Sequence, residues 1–181
     1  MSRSRNSETR GTVVVGVDGS EGAKHALRWA TAEARLRGSR LLIVHAWRIG
    51  YAGVPGGGYG SLGGPFDPFP GGGVSDMHRA AEELLEKVTA ELDGEAEGVE
   101  VERRVVEGGA PEVLVAAAAE ADLLVVGSRG HGGFAGLLLG SVSQQCAHHA
   151  HCPVVIVHAP RPAATRPDPA EATPTPRRAA A

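Results

Sequence analysis

The residues best suited to chemistry in this 181-residue chain lie in one stretch, Gly127-Ser128-Arg129-Gly130-His131-Gly132-Gly133-Phe134-Ala135-Gly136-Leu137-Leu138-Leu139-Gly140-Ser141. A short apolar run, Leu123 to Val126, precedes it, and a helical pattern from Val142 to Ala150 follows it. A buried strand therefore ends, a glycine-rich loop turns, and a helix begins at Gly140-Ser141. That arrangement suits phosphate. Glycine lets the backbone approach an anion closely and tolerates positive φ. Successive N–H groups can form an anion-binding nest, and a new helix adds free N–H groups and the positive end of its dipole. Ser141 is placed either to cap that helix or to donate its hydroxyl to a phosphate oxygen.

Two common phosphate loops are excluded. The chain's lysines, Lys24 and Lys87, lie elsewhere, so there is no G-x-x-x-x-G-K-[ST] loop. The dinucleotide pattern GxGxxG is also absent, and this loop follows a late strand. The spacing present is Gly127, two residues, Gly130, nine residues, then Gly140-Ser141. A second candidate is Asp18, in Asp18-Gly19-Ser20 at the end of the first apolar run. Arg129 and His131 suit either phosphate contact or a solvated loop. Ser143 is either a phosphate donor in the first helical turn or a surface residue. Cys146, His148, His149, His151 and Cys152 match no standard zinc spacing, so no metal site is assigned to them.

The elements that must position these residues follow from periodicity. Thr12 to Val17 and Leu41 to Ala46 read as strands buried on both faces. Between them Ala23, Ala26, Leu27, Ala30 and Ala34 keep one helical face, with Ser20 as N-cap and Gly38 as the stop. Met77, Ala81, Leu84, Val88 and Leu92 mark a second helix, and the alternation over 99–105 marks a half-exposed edge strand. Pro111 opens a third helix carrying Val113, Leu114, Ala117, Ala118 and Ala121. Val154 to Val157 is a fifth strand after Cys152-Pro153. Alternating strands and helices imply a parallel sheet with helices on both faces. Residues 1–10 read as a disordered arm, 11–159 as the domain, and 160–181 as a disordered tail. Residues 48–74, rich in Gly and Pro and carrying Tyr51 and Tyr59, read as a mobile linker, with a lid over the ligand as the alternative.

Composition narrows the function classes. Hydrophobic residues make up 42% of the chain and aromatics 4%, so the core is aliphatic. A net charge of -3 with no long basic block argues against nucleic acid. No apolar run approaches ~20 residues, so a membrane span is not expected. Two cysteines exclude a disulfide scaffold, and the polar first ten residues do not read as a signal peptide, which together suggest a cytoplasmic protein.

The glycine spacing resembles the G-2x-G-9x-G-[S/T] loop of the universal stress protein family, in its ATP-binding branch. Val-Gly-Val17-Asp18-Gly-Ser, Val44-His45-Ala46, Ala121-Asp122-Leu-Leu-Val-Val-Gly127 and His151-Cys152-Pro153-Val-Val-Ile-Val extend the resemblance over residues 11–158. It implies an open five-stranded sheet in the order 3-2-1-4-5. Asp18 and Gly127 would then face one crevice at the switch point. It further implies that Asp18 meets ribose or adenine, that backbone at Val17 and Ala46 borders adenine, and that Val126 packs there. Gly127, Gly130, Gly140, Ser141, Val142 and Ser143 would surround ribose and phosphates, with Arg129 of the same loop counted as a nucleotide-binding candidate on its own charge. The cofactor implied is ATP with Mg²⁺. A homodimer is expected through the fifth strand, because an apolar edge needs cover. The resulting reading is a regulatory nucleotide-binding protein with no assigned catalytic residue. Its alternatives are a slow Mg-dependent ATPase or self-phosphorylating protein, an interaction module with structural nucleotide, and a binder of AMP or cyclic AMP.

Overall fold

The computed structural model describes residues 10–48, 74–92, 94–131 and 138–160. The expected arm, the 48–74 loop and the tail lie, apart from their end residues, outside the described residues. Five strands form one parallel sheet in the order β3-β2-β1-β4-β5: β1 Thr12–Gly16, β2 Arg40–Trp47, β3 Val101–Glu107, β4 Leu123–Gly127 and β5 Val154–Val157. Four helices connect them: α1 Glu21–Arg37, α2 Val74–Ala90, α3 Ala110–Ala117 and α4 Ser141–His149.

The continuous apolar runs are needed because the central strands are covered on both sides. On one face Val13, Val15, Leu41, Ile43, Leu123 and Val125 pack under α1 and α2. On the other, Val14, Leu42, Val44, Leu124 and Val126 pack under α3 and α4. Val13, Val14 and Val15 are wholly buried. Among the described residues, no helix is long and apolar enough to cross a membrane.

Several boundaries differ from the sequence expectation, two of them with a visible local cause. β3 starts at Val101, because Gly94 (φ 83°) and Gly98 (φ 78°) hold the preceding chain in turns. These turns close through Glu97 N–H to Gly94 O and Val99 N–H to Ala96 O. The third helix ends at Ala117, not at Ala121. Beyond it, Ala119 N–H donates to Ala116 O and Ala121 N–H to Ala118 O, the tighter three-residue closure of a fraying end.

α1 has the ends its sequence promises. Ser20 Oγ accepts from Ala23 N–H at 3.2 Å, and Gly38 takes the left-handed conformation at φ 66°. This fixes where the chain leaves β1 and therefore where Asp18 stands.

Candidate functional site

β1 and β4 are neighbours although they are far apart in sequence, so their C-terminal ends border the switch point of the sheet. Val17 leaves β1 buried, donating its N–H to Val44 O at 2.9 Å. Asp18 Oδ1 then accepts from Ser20 N–H at 2.9 Å and from Ser20 Oγ–H at 2.6 Å. Gly19, between them, has φ +84°, so the left-handed turn needs its glycine. One carboxylate oxygen of Asp18 is thus spent on its own turn. The other, Oδ2, faces the glycine loop, and a Cβ on Gly130 would lie 2.3 Å from it. The structure therefore brings Asp18 and Gly130 together, as the crevice argument requires.

The loop glycines serve space and not positive φ, which corrects the sequence expectation. None of Gly127, Gly130 and Gly140 has positive φ. Gly127 abuts the first turn of α1, where its Cβ would come within 2.8 Å of Gly22 C and 3.0 Å of Ala23 N. A Cβ on Gly22 would in turn lie 2.6 Å from Arg129 O. Two backbones pass here with no room for a side chain. Gly22 was not singled out from the sequence, although a glycine inside a helix is a signal of close approach.

The stem of the loop is bolted by Ser128. Its N–H donates to Val157 O at 2.8 Å, and its carbonyl accepts from Gly140 N–H at 2.7 Å. Ser143 Oγ lies 3.1 Å from Ser128 O and 2.9 Å from Gly140 O, and donates its hydrogen to this pair. Ser143 is 1% exposed, so it is not a surface residue, and its hydroxyl is engaged within the chain. Ser141 does not cap α4. Gly140 is the N-cap, without a side-chain hydrogen bond, and Ser141 is the exposed first helical residue. The first intrahelical bond runs from Gln144 N–H to Gly140 O, so helix geometry gives the N–H groups of Ser141, Val142 and Ser143 no partner within the helix.

The remaining predicted positions spread around this centre. Arg129 and His131 are exposed, and His131 Nε2 lies 2.9 Å from Asp18 O. Ala46 is half-buried at the end of β2, in register with Val106. Val126 is 3% exposed and belongs to the core under α3 and α4. Val142 packs partly against the same core. Sequence reasoning also passed over His45, whose Nδ1 donates to Val17 O at 2.8 Å. Trp47, at the end of β2, has its Nε1 enclosed without a partner among the described residues and meets the His78 ring edge-on at 5.7 Å. Cys146 is buried, and desolvation, with the Glu112 charge second, pushes its thiol from 9.0 up to about 11. Among the described residues no three His, Cys, Asp or Glu side chains form a metal-binding group.

A parallel 3-2-1-4-5 sheet with a glycine loop and a helix N-terminus at its switch point defines an α/β class with an anion-ready crevice. The model of the universal stress protein family matches residues 9–63 and 64–158, and the chain belongs to that family. A universal stress protein of Thermus aquaticus is 38% identical over 149 residues, covering 81% of this chain and 97% of the relative. One from Mycolicibacterium smegmatis is 32% identical over 152 residues, covering 84% of this chain and 49% of the relative, so the chain spans about half of that protein. Among solved structures, a universal stress protein in complex with cAMP is 31% identical, with TM-score 0.58 and coverage of 83% of this chain and 98% of that one. An Archaeoglobus fulgidus universal stress protein in complex with dAMP is 28% identical, with TM-score 0.54 and coverage of 81% and 97%.

Proposed function

We propose that this chain binds ATP with Mg²⁺ at the β1/β4 crevice and acts as a cytoplasmic, nucleotide-dependent regulatory protein of the stress response. The observation that carries the reading is the meeting of Asp18 and Gly130 beside the uncapped start of α4. Asp18 Oδ2 would take the ribose hydroxyls or adenine, and the backbone at Val17 and Ala46 would border the base. The N–H groups of Ser141 and Val142, with the Ser141 hydroxyl, would receive the phosphates. The solved relatives in complex with cAMP and dAMP support an adenine nucleotide. Mg²⁺ would be carried mainly by phosphate oxygens and water, since this ion keeps several waters and is bound through substrate phosphates. Its chemistry there is to neutralise phosphate charge. The same reading includes a homodimer through β5, whose four aliphatic residues stand half-buried at the sheet edge.

Calorimetric titration with ATP-Mg²⁺, AMP and cyclic AMP tests the ligand, and a single-turnover assay follows its fate. Saturable one-to-one binding of ATP with negligible hydrolysis is expected. Absence of binding by all three nucleotides would overturn the reading, and turnover faster than about one per minute would make it an enzyme.

A further inference from the structure

His131, in the first arm of the loop after β4, turns back across the crevice. Its Nε2 lies 2.9 Å from Asp18 O, a residue 113 positions away in sequence. A carbonyl oxygen can only accept, so Nε2 carries the hydrogen of this bond. The preceding carbonyl, Val17 O, accepts in the same way from His45 Nδ1 at 2.8 Å. Two consecutive carbonyls at the end of β1 are therefore each held by an imidazole, one from β2 and one from the glycine loop. The Asp18 carboxylate is fixed by Ser20 on one oxygen and closed in by Gly130 on the other.

The geometry points to His131 as a positioning residue: a latch that clips the Arg129–His131 segment onto the end of β1, with His45 as the brace behind it. The stem of the loop is already held by Ser128, through Val157 O and Gly140 N–H. Among the described residues, those bonds hold Ser128 and Gly140 but not the Arg129–His131 segment. Glycine loses more backbone freedom on ordering than any other residue, so an unlatched Gly130 segment would add that loss to every binding event. A latched segment is organised beforehand, and organisation before binding raises affinity. It also keeps Asp18 and the loop N–H groups in the spacing one ligand needs. This inference rests on the nucleotide reading above.

Two variants and one spectrum test it. In nucleotide-free protein at a pH where the rings are neutral, imidazole nitrogen spectra should show the hydrogen on Nε2 of His131 and on Nδ1 of His45. His131→Ala should speed amide exchange at Arg129 and Gly130 without changing the global unfolding midpoint. It should weaken ATP-Mg²⁺ by up to about tenfold, the worth of one hydrogen bond, while adenosine, which lacks phosphates, changes little. His131→Gln, a neutral donor, should restore ATP binding to within about twofold of wild type. A hydrogen on Nδ1 of His131, unchanged exchange in His131→Ala, or tighter ATP binding by that variant would overturn the latch. His131→Gln behaving like His131→Ala would do the same, because the residue would then act through charge or ring stacking. If the wild type binds no adenine nucleotide, the functional reading falls, and the tautomer and exchange measurements alone decide the latch.

Discussion

Three glycines that look equivalent in the loop pattern stand in different surroundings, and substitution should separate them. Gly127→Ala drives a methyl group into the backbone of Gly22 and Ala23, which cannot swing aside. Overpacking of that kind costs ~1–3 kcal/mol, so its urea midpoint should fall clearly. Gly130→Ala meets a side chain, Asp18 Oδ2, whose displacement strains the two bonds that Ser20 gives to Oδ1. The midpoint should fall less than in Gly127→Ala, while ATP affinity drops about tenfold or more as the Asp18 contact is lost. Gly140 has φ -76°, and its nearest neighbour to an added Cβ is Ser128 O at 3.4 Å. Gly140→Ala should fold normally, and Gly140→Glu should fold yet lose ATP through charge repulsion; equal affinity in Gly140→Glu would remove this loop as the phosphate site. The glycine spacing was legible in the sequence, but the reason for each glycine was not, because the partner of Gly127 is a helix a hundred residues earlier. Cys146 gives a pH test. The folded state holds its proton more tightly than the unfolded chain, from 9.0 to about 11. Its stability contribution is complete below pH 9 and is lost as pH rises toward about 11. Denaturation midpoints should decline across that range, and Cys146→Ala, whatever its starting stability, should decline less.

At the scale of elements, the start of α4 is held by Ser143 and not by Ser141. Ser143 Oγ joins Ser128 O and Gly140 O beneath the surface, whereas the exposed Ser141 caps nothing. Ser143→Ala should therefore cost about 1 kcal/mol, and Ser141→Ala should stay within ~0.5 kcal/mol of wild type. Chemical denaturation of the two variants checks the order, and a reversed order would contradict the bolted stem. Element types were legible because strands buried on both faces have no alternative to a continuous apolar run, as at Val13, Val14 and Val15. The edge strand was less so. Val99 shares the alternation of Val101 and Val105, yet it belongs to a turn that Gly98 sets with φ 78°. Periodicity cannot see that bend. The two histidine bonds to Val17 O and Asp18 O were equally hidden, since they join elements whose proximity follows only from the sheet order.

For the whole molecule the question is how the sheet ends. The β3 edge carries Glu102, Arg103, Arg104 and Glu107, with Arg104 Nε paired to Glu102 at 2.7 Å, a charged edge that discourages pairing. The β5 edge carries Val154, Val155, Ile156 and Val157. Beside it, α1 is tied toward the α2 side by Lys24–Glu91 at 3.1 Å and Arg28–Glu95 at 3.6 Å, while Trp29 and Leu36 stay 37% and 81% exposed. One edge is protected and the other asks for cover, which is why the proposed dimer is placed at β5. The backbone says how to test it. Pro153 O and Val157 O accept from Leu124 N–H and Ser128 N–H of the β4 side. By the two-residue period of a strand, Val155 also turns its polar groups to β4, and Val154 and Ile156 turn theirs to the open edge. Proline at Ile156 therefore removes an outward N–H and leaves the β4 ladder intact, a placement edge strands tolerate. Ile156→Pro should keep its circular dichroism and its adenine-nucleotide binding. Sedimentation equilibrium at micromolar concentration should show a dimer for the wild type and a monomer for the variant. Val154→Pro, at the other outward position, should do the same with a different side chain lost. If both variants remain folded dimers, the two-fold contact lies on another face and β5 must be covered in some other way.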